Sequence, residues 1–383
     1  MERKKLLVHD MSESEWEKVK DLYKDYDVIS ANGTIKPCIG CFTCWTKTPG
    51  RCVIKDGYDQ MGAKINACEE LVINSRFTYG GFSAFIKNIF DRSLGYVLPY
   101  FEVYDSEMHH KRRYQEVKNV TFIFRGHNLS IEDREKARRY VTAVCRNLQG
   151  KVKEVIFEDD GKEDEPLNDN DISPVKDKVM LLNCSLRGNT ANSKILLDKL
   201  AESLTVPFEQ YDIVDNKEKI TQKFLEAETV VLAMPLYVDG LSSTVIRFFN
   251  KLETLGKQSH KNIYVLANMG LYESKQLINL LDMVRCWCHK MNYSFNGAIS
   301  IGAGELVGVL LPQMFFGPVK SVIDGLKNFA MVISQSKRIK DLYIEPFMFP
   351  RDLYIWIANR SWDNKAYKLK MKPKDLCRRR TVE

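Results

Sequence analysis

Four cysteines fall within one short segment, Cys38-Ile39-Gly40-Cys41-Phe42-Thr43-Cys44-Trp45-Thr46-Lys47-Thr48-Pro49-Gly50-Arg51-Cys52, spaced C-x2-C-x2-C-x7-C. Four thiolates in one compact loop can surround a cubane 4Fe–4S cluster. Gly40, Pro49 and Gly50 let the chain wrap. Three readings compete for this loop: a 4Fe–4S cluster, a vestigial loop without metal, and a structural zinc site, which four thiolates also suit. A second segment, Asn183-Cys184-Ser185-Leu186-Arg187-Gly188-Asn189-Thr190-Ala191-Asn192, gathers hydroxyl, amide and guanidinium donors. At the start of a helix this set suits a phosphate monoester, because helix N-termini present free N–H groups and partial positive charge. A third, Met234-Pro235-Leu236-Tyr237-Val238-Asp239-Gly240-Leu241-Ser242-Ser243, offers a rigid proline, an aromatic face and a glycine, on which a planar ring can lie. A fourth, Asn268-Met269-Gly270-Leu271-Tyr272, is a glycine turn placed to touch the other edge of that ring. The plain alternatives are an N-capped helix start and surface turns. No acid–base residue is singled out. Cys286 and Cys288 sit two apart on a helical pattern and point to different faces, so they are not a metal knuckle. The six cysteines outside the loop read as small core residues.

Such loops need a scaffold that gathers them. Strands are predicted at 5–8, 26–30, 71–75, 120–124 and 152–157, with helices at 15–23, 59–68, 83–91 and 131–148. The pattern then repeats, with strands at 178–183, 208–213, 229–234, 262–267 and 297–302 and helices at 192–204, 217–226, 243–252 and 274–290. Alternation of this kind implies an α/β fold: two tandem, doubly wound parallel sheets of five strands, each with helices on both faces. Ligands of such sheets sit beyond the carboxyl ends of the strands. The halves also align without a gap, Arg76–Ser83 over Pro235–Ser242, so that Gly81 meets Gly240 and Ser83 meets Ser242. We read this as a duplicated unit. The predicted domains are 1–158, an acidic linker at 159–176, a second domain at 177–305, and a helical extension at 306–383 packed on the second domain, with a basic, frayed end. Its aromatics Phe347, Phe349, Tyr354 and Trp356 read as core.

Composition excludes several classes. The chain has 383 residues, 44% hydrophobic and 28% charged, a globular mix. No apolar run approaches the ~18–20 residues of a membrane span. The opening residues hold only the short apolar run Leu6-Leu7-Val8, which is not a secretory leader, so a cytoplasmic location is expected. Ten cysteines in that compartment argue against a disulfide framework. The net charge is +7, with basic clusters at 109–113 and 378–380. Without an interleaved aromatic stripe these read as solvated faces, and no nucleic-acid partner is expected.

The loops at Ser185, Pro235 and Asn268 resemble those of the flavodoxin-like NADPH-dependent FMN reductase family. Ser185, Arg187, Asn189, Thr190 and Asn192 match the motif that holds the FMN phosphate there. Pro235, Tyr237 and Ser242 match the motif that holds the isoalloxazine, and the resemblance extends this role to Leu236, Asp239, Gly240, Asn268 and Gly270. The likeness covers residues 178–302 well and 4–157 in a degraded form. The first half lacks an arginine after its first strand and carries acids there, in His9-Asp10-Met11-Ser12-Glu13-Ser14-Glu15; it also has Arg76 and Thr78 where proline and tyrosine are expected. It is therefore not expected to hold FMN phosphate. The spacing of Cys38, Cys41, Cys44 and Cys52 is similar to that of iron–sulfur flavoproteins, a branch of the same family. The resemblance implies an FMN-dependent oxidoreductase fed by NAD(P)H or a redox protein. It further implies an internal pseudo-dimer that leaves room for a further homodimer. In family dimers the flavin lies at a subunit interface, which implies that Trp45 or its neighbours lie near the ring.

Overall fold

The computed structural model describes residues 4–31, 35–159, 178–256 and 260–382. The linker expected at 159–176 lies outside them except for Asp159. The chain divides into two compact units. The first takes Met1–Tyr104, His109–Glu165 and Ile355–Glu383, and the second takes Asp105–Met108 and Pro166–Tyr354.

The elements of the first half run β1 (Lys5–His9), α1 (Glu13–Val19), β2 (Tyr26–Ser30), α2 (Met61–Ala67), β3 (Glu70–Arg76), α3 (Ala84–Arg92), β4 (Val97–Tyr104), β5 (Glu107–Arg112), β6 (Asn119–Gly126), α4 (Ile131–Asn147) and β7 (Lys151–Asp159). Five strands form a parallel sheet in the order β2-β1-β3-β6-β7. Leu6-Leu7-Val8 and Leu71-Val72-Ile73 are continuous buried runs, as central parallel strands require. In α4 the buried stripe Ala137, Tyr140, Val141, Val144 and Cys145 follows helical spacing.

The second half runs β8 (Val179–Asn183), α5 (Asn192–Ala201), β9 (Phe208–Asp212), α6 (Lys217–Glu226), β10 (Thr229–Pro235), α7 (Ser243–Thr254), β11 (Asn262–Asn268), α8 (Ile278–Met291), β12 (Ser294–Ile301), α9 (Gly304–Leu310), α10 (Lys320–Ser334), β13 (Leu342–Ile344), α11 (Arg351–Lys368) and α12 (Pro373–Leu376). Its sheet is parallel in the order β13-β12-β11-β10-β8-β9. Counted within each half, the first sheet runs 2-1-3-4-5 and the second 2-1-3-4-5-6, and ligands of open parallel sheets sit where the strand order reverses, here between strands 1 and 3.

Several expectations need correction. The second sheet has six strands, because β13 adds beside β12. Three residues between Asp341 and Glu345 are too short to register as a periodic segment. The hairpin β4–β5 stands between α3 and β6, and its basic end is no solvated face: His109 and Arg113 are buried. The extension also does not stay with the second unit. It divides at Tyr354, and residues from Ile355 onward belong to the first unit. There Asn359 pairs with both backbone groups of Phe101, and Tyr100 donates to Asp363. The basic end is held rather than frayed, because the Arg113 guanidinium donates to the carbonyls of Leu376 and Arg378, and Arg380 donates to that of Pro49. Of the four tail aromatics, Tyr354 is core and Phe349 half-buried, whereas Phe347 and Trp356 are exposed.

Local geometry recurs between the halves. Thr78–Gly81 and Tyr237–Gly240 each close an antiparallel bridge around two positive-φ residues, Tyr79-Gly80 and Val238-Asp239. Ser83 and Ser242 cap the helices that follow. Lys118 and Lys261 are both buried. Lys118 donates to the carbonyls of Asn66 and Cys68, and Lys261 to those of Leu225 and Ala227, at the C-terminal ends of α2 and α6. Gln149 and Asn292, both at positive φ, end α4 and α8. The next residues, Gly150 and Tyr293, donate to the carbonyls of the buried Cys145 and Cys288.

Candidate functional site

In the second unit three loops meet at the carboxyl ends of the adjacent strands β8, β10 and β11. Register puts Asn183 beside Ala233 and Pro235 beside Asn268. Asn268 ties the loops together. Its backbone carbonyl accepts the Leu236 N–H at 2.9 Å, and its side-chain oxygen accepts the Ser193 hydroxyl at 2.6 Å. Ser193 lies in the first turn of α5, so the phosphate-type loop, the ring-type loop and the glycine turn are joined through one buried asparagine.

The loop before α5 folds tightly. Ser185 is buried, and its hydroxyl accepts the Arg187 N–H at 3.3 Å. Gly188 has φ +52, a conformation favoured by glycine. The cap position of α5 is Ala191, which has no side-chain oxygen to satisfy the first-turn N–H groups. A helix start of this kind suits a phosphate. Arg187 is partly exposed and lies 3.8 Å from the Glu305 carboxylate. A pair this exposed is weak and yields readily to a phosphate dianion. Asn192 packs against α9, where a Cβ on Gly308 would fall 2.2 Å from its Oδ1. Asn189 and Thr190 are exposed, and the Thr190 hydroxyl donates to the Arg187 carbonyl.

In the ring-type loop, Pro235, Leu236 and Tyr237 are half-buried, whereas Asp239, Gly240 and Ser242 are buried. The Tyr237–Gly240 pair of backbone hydrogen bonds makes a two-residue turn, and Val238 sits at φ +36, which β-branched residues rarely adopt. Strain of this kind clusters at ligand sites. The Gly270 carbonyl accepts the hydroxyl of buried Tyr354 at 2.6 Å, which fixes the glycine turn. Residue types and placement fit FMN: phosphate donors at one end, and a rigid turn with backbone groups at the other.

The corresponding place in the first unit is filled from within. Ser12 caps α1, and the Glu15 carboxylate returns to the Ser12 N–H, a complete capping box. Asp10 accepts the Arg76 N–H and pairs with Arg125, which also pairs with Glu15. Burial opposes ionisation of Glu15, but the Ser12 hydrogen bonds and Arg125 hold its carboxyl down at about 2. Two carboxylates and an arginine thus surround the start of α1.

The cysteine loop belongs to this first unit. Gly40, Phe42 and Gly50 take positive φ, and the Gly50 N–H donates to the Cys44 carbonyl at 2.9 Å. A Cβ on Gly50 would meet Arg380 Cγ at 2.9 Å. One face of α3 carries polar side chains into the loop. The Asn88 side chain accepts the Cys38 N–H at 3.3 Å. The buried Arg92 donates to Cys52 Sγ at 3.1 Å, to the carbonyls of Lys36 and Ile54, and to both oxygens of Asp56. Burial pushes the Cys38 thiol up to about 12, with Asp91, Cys52 and Cys41 adding to it, and the Cys44 thiol higher still, with the other three loop cysteines adding to it. A metal here must displace protons. The buried Arg113 gives its donors to the carbonyls of Gly95, Val97, Leu376 and Arg378, and no carboxylate among the described residues pairs with it. Among the described residues no three His, Cys, Asp or Glu side chains converge as a single-ion site. Trp45 is buried within its own unit, with its N–H on the carbonyls of Leu94 and Val97 and its ring against Phe42, His110 and Trp362.

Sequence reading missed Asn88, Arg92 and Arg113, which read as ordinary helix and surface residues. The polar stripe Lys87, Asn88, Asp91 and Arg92 on an otherwise apolar helix was the available signal, and all four are buried.

No family model matches the chain. An iron–sulfur flavoprotein of Methanocaldococcus jannaschii is 36% identical over 63 residues, 16% of this chain. The match spans about a third of that curated relative's length, 32%. Among solved structures, an azoreductase from Bacillus anthracis str. Sterne is 14% identical, covering 41% of this chain and 99% of its own, with a TM-score of 0.32. The Trp repressor binding protein from Bacillus subtilis is 19% identical, covering 39% and 99%, with a TM-score of 0.33. An FMN-dependent NADH-azoreductase from Bacillus anthracis str. Ames Ancestor, in complex with FMN, is 11% identical, covering 41% and 100%, with a TM-score of 0.31. Likeness at these scores does not carry a function. No helix among the described residues is long and apolar enough to cross a membrane.

Proposed function

We propose that the protein is an FMN-dependent oxidoreductase of the cytoplasm, with FMN in its second unit and a 4Fe–4S cluster on Cys38, Cys41, Cys44 and Cys52 in its first. The observation that carries the flavin is the meeting of three loops at Asn268, beside a helix start that lacks a capping side chain. Ser185, Arg187 and the α5 amides hold the phosphate. Pro235–Ser242, Asn268 and Gly270 hold the ring. Bound flavin supplies hydride and single-electron chemistry, and the protein supplies orientation and charge.

The cluster reading is supported by the cysteine spacing and by the buried Arg92, which donates to Cys52 Sγ. The short match to an iron–sulfur flavoprotein agrees with it. The recurring turns, caps and buried lysines support a duplicated ancestor, and we infer that the chain works as an internal pseudo-dimer in which electrons pass between cluster and flavin. NAD(P)H or a redox protein is the donor; no nucleic acid or membrane takes part.

Anaerobic purification with a visible spectrum and assays for FMN, iron and sulfide tests the proposal. Flavin absorbance near ~450 nm with iron and sulfide supports it. A colourless protein that takes up no FMN removes it, and one zinc in place of iron moves the loop to a structural role. Rapid NADH or NADPH oxidation marks an enzyme, whereas reduction only by ferredoxin or dithionite marks an electron carrier.

A further inference from the structure

The Cys52 sulfur accepts a hydrogen bond from a buried arginine that comes from a different element. Arg92 closes α3, forty positions along the chain from Cys52, and its Nε lies 3.1 Å from Cys52 Sγ. Its side chain is fully buried. Its other donors reach the Lys36 carbonyl at 2.8 Å and the Ile54 carbonyl at 2.9 Å, on either side of the cysteine loop. Asp56 takes two more bonds, at 2.9 and 2.8 Å, and fixes the plane of the guanidinium. One rigid fork therefore spans both ends of the loop and aims an N–H at one of its four sulfurs. The equivalent position in the second half is Lys251, which cannot form a fork.

Resting on the cluster reading above, we propose that Arg92 is the positioning residue that presents Cys52 to the cluster and raises the cluster's reduction potential. Reduction adds one electron, supplied in the assay by dithionite, to the iron–sulfide centre. No bond forms or breaks, and Arg92 keeps its protons. The added negative charge is shared with the thiolates. A charged N–H on one of them stabilises the reduced form more than the oxidised form. Asp56 offsets part of the guanidinium charge from the far branches of the fork, and the Nε–H that faces sulfur keeps the local effect. Asn88 accepts the Cys38 N–H, a bond to the backbone of the loop.

The test compares wild type, Arg92→Lys and Arg92→Gln as full-length protein reconstituted without oxygen. Iron and sulfide are assayed, and the cluster midpoint is read by spectroelectrochemical titration. Arg92→Gln is expected to shift the one-electron equilibrium about three- to tenfold toward the oxidised form, up to about 59 mV more negative. Arg92→Lys, which keeps the charge, shifts it less. Full iron content with wild-type midpoints in both variants overturns the proposal. If Arg92→Gln releases iron, Arg92→Lys decides: a midpoint below wild type carries the proposal, and a wild-type midpoint overturns it. Iron loss in both variants also overturns it and leaves Arg92 a packing residue. A wild-type protein without iron and sulfide removes the cluster reading, and this inference with it. A wild-type cluster with unmoved midpoints removes this inference alone.

Discussion

Two helix starts occupy the same place in the two sheets and do opposite things. Helix α1 opens with Ser12 and Glu15, which satisfy the backbone between them, and Asp10 and Arg125 close the space beyond. Helix α5 opens on Ala191, with a buried serine, an arginine and a glycine turn before it. The strand order around them is the same. The same strand order thus carries one helix start closed by the chain's own side chains and one that is not. The cysteine loop shows the reverse. It lies in the unit whose first helix is capped from within, and α3 buries Asn88 and Arg92 against it.

The largest effect should come from the added loop. Cys41→Ser should abolish iron and sulfide retention after anaerobic reconstitution, while FMN content stays at the wild-type value, because the two sites use different units. Loss of both cofactors together would break the separation.

Next in size is the phosphate end. Arg187→Ala should weaken FMN binding by about 1.5–3 kcal/mol, the worth of a charge-assisted hydrogen bond. Titration of the apoprotein with FMN measures it, and an unchanged affinity would refute the assignment of that loop.

Much of this contrast was legible in the sequence. The missing arginine after β1 and the acids at 10–15 set the expectation that no phosphate binds there, and the structure uses those acids in a capping box and ion pairs. The element pattern was readable because central parallel strands are continuous apolar runs and the helices carry regular stripes. The hairpin β4–β5, the short β13 and the return of 355–382 to the first unit were not readable. Their burial is decided by distant partners, as when Asn359 completes the backbone of Phe101. Arg92 and Arg113 were hidden for the same reason: a basic residue looks solvated until the tertiary structure surrounds it.

Smaller effects sharpen the comparison. Glu15→Gln should cost about 0.5–1 kcal/mol after allowance for its partial exposure. The sign follows from a carboxyl held at about 2 against its ordinary 4.5. Its contribution is complete above pH 4.5 and is lost as the pH falls toward 2. Acid unfolding followed by circular dichroism should be flatter for the variant over that range; an unchanged profile would show that Arg125 does not act through Glu15. Smallest of all, Glu305→Gln should tighten FMN by about 0.5 kcal/mol, since it frees Arg187 from a weak exposed pair. Weaker binding would mean that Glu305 belongs to the site rather than competing with it.

The central claim is that one unit holds the flavin and the other has closed the same position against it. Equilibrium titration of the apoprotein with FMN, read as moles bound per chain, tests it most directly. The account predicts one FMN per chain in wild type. Two FMN per chain would show that the position beside Asp10 and Glu15 is open after all, and none would contradict the reading of the second unit.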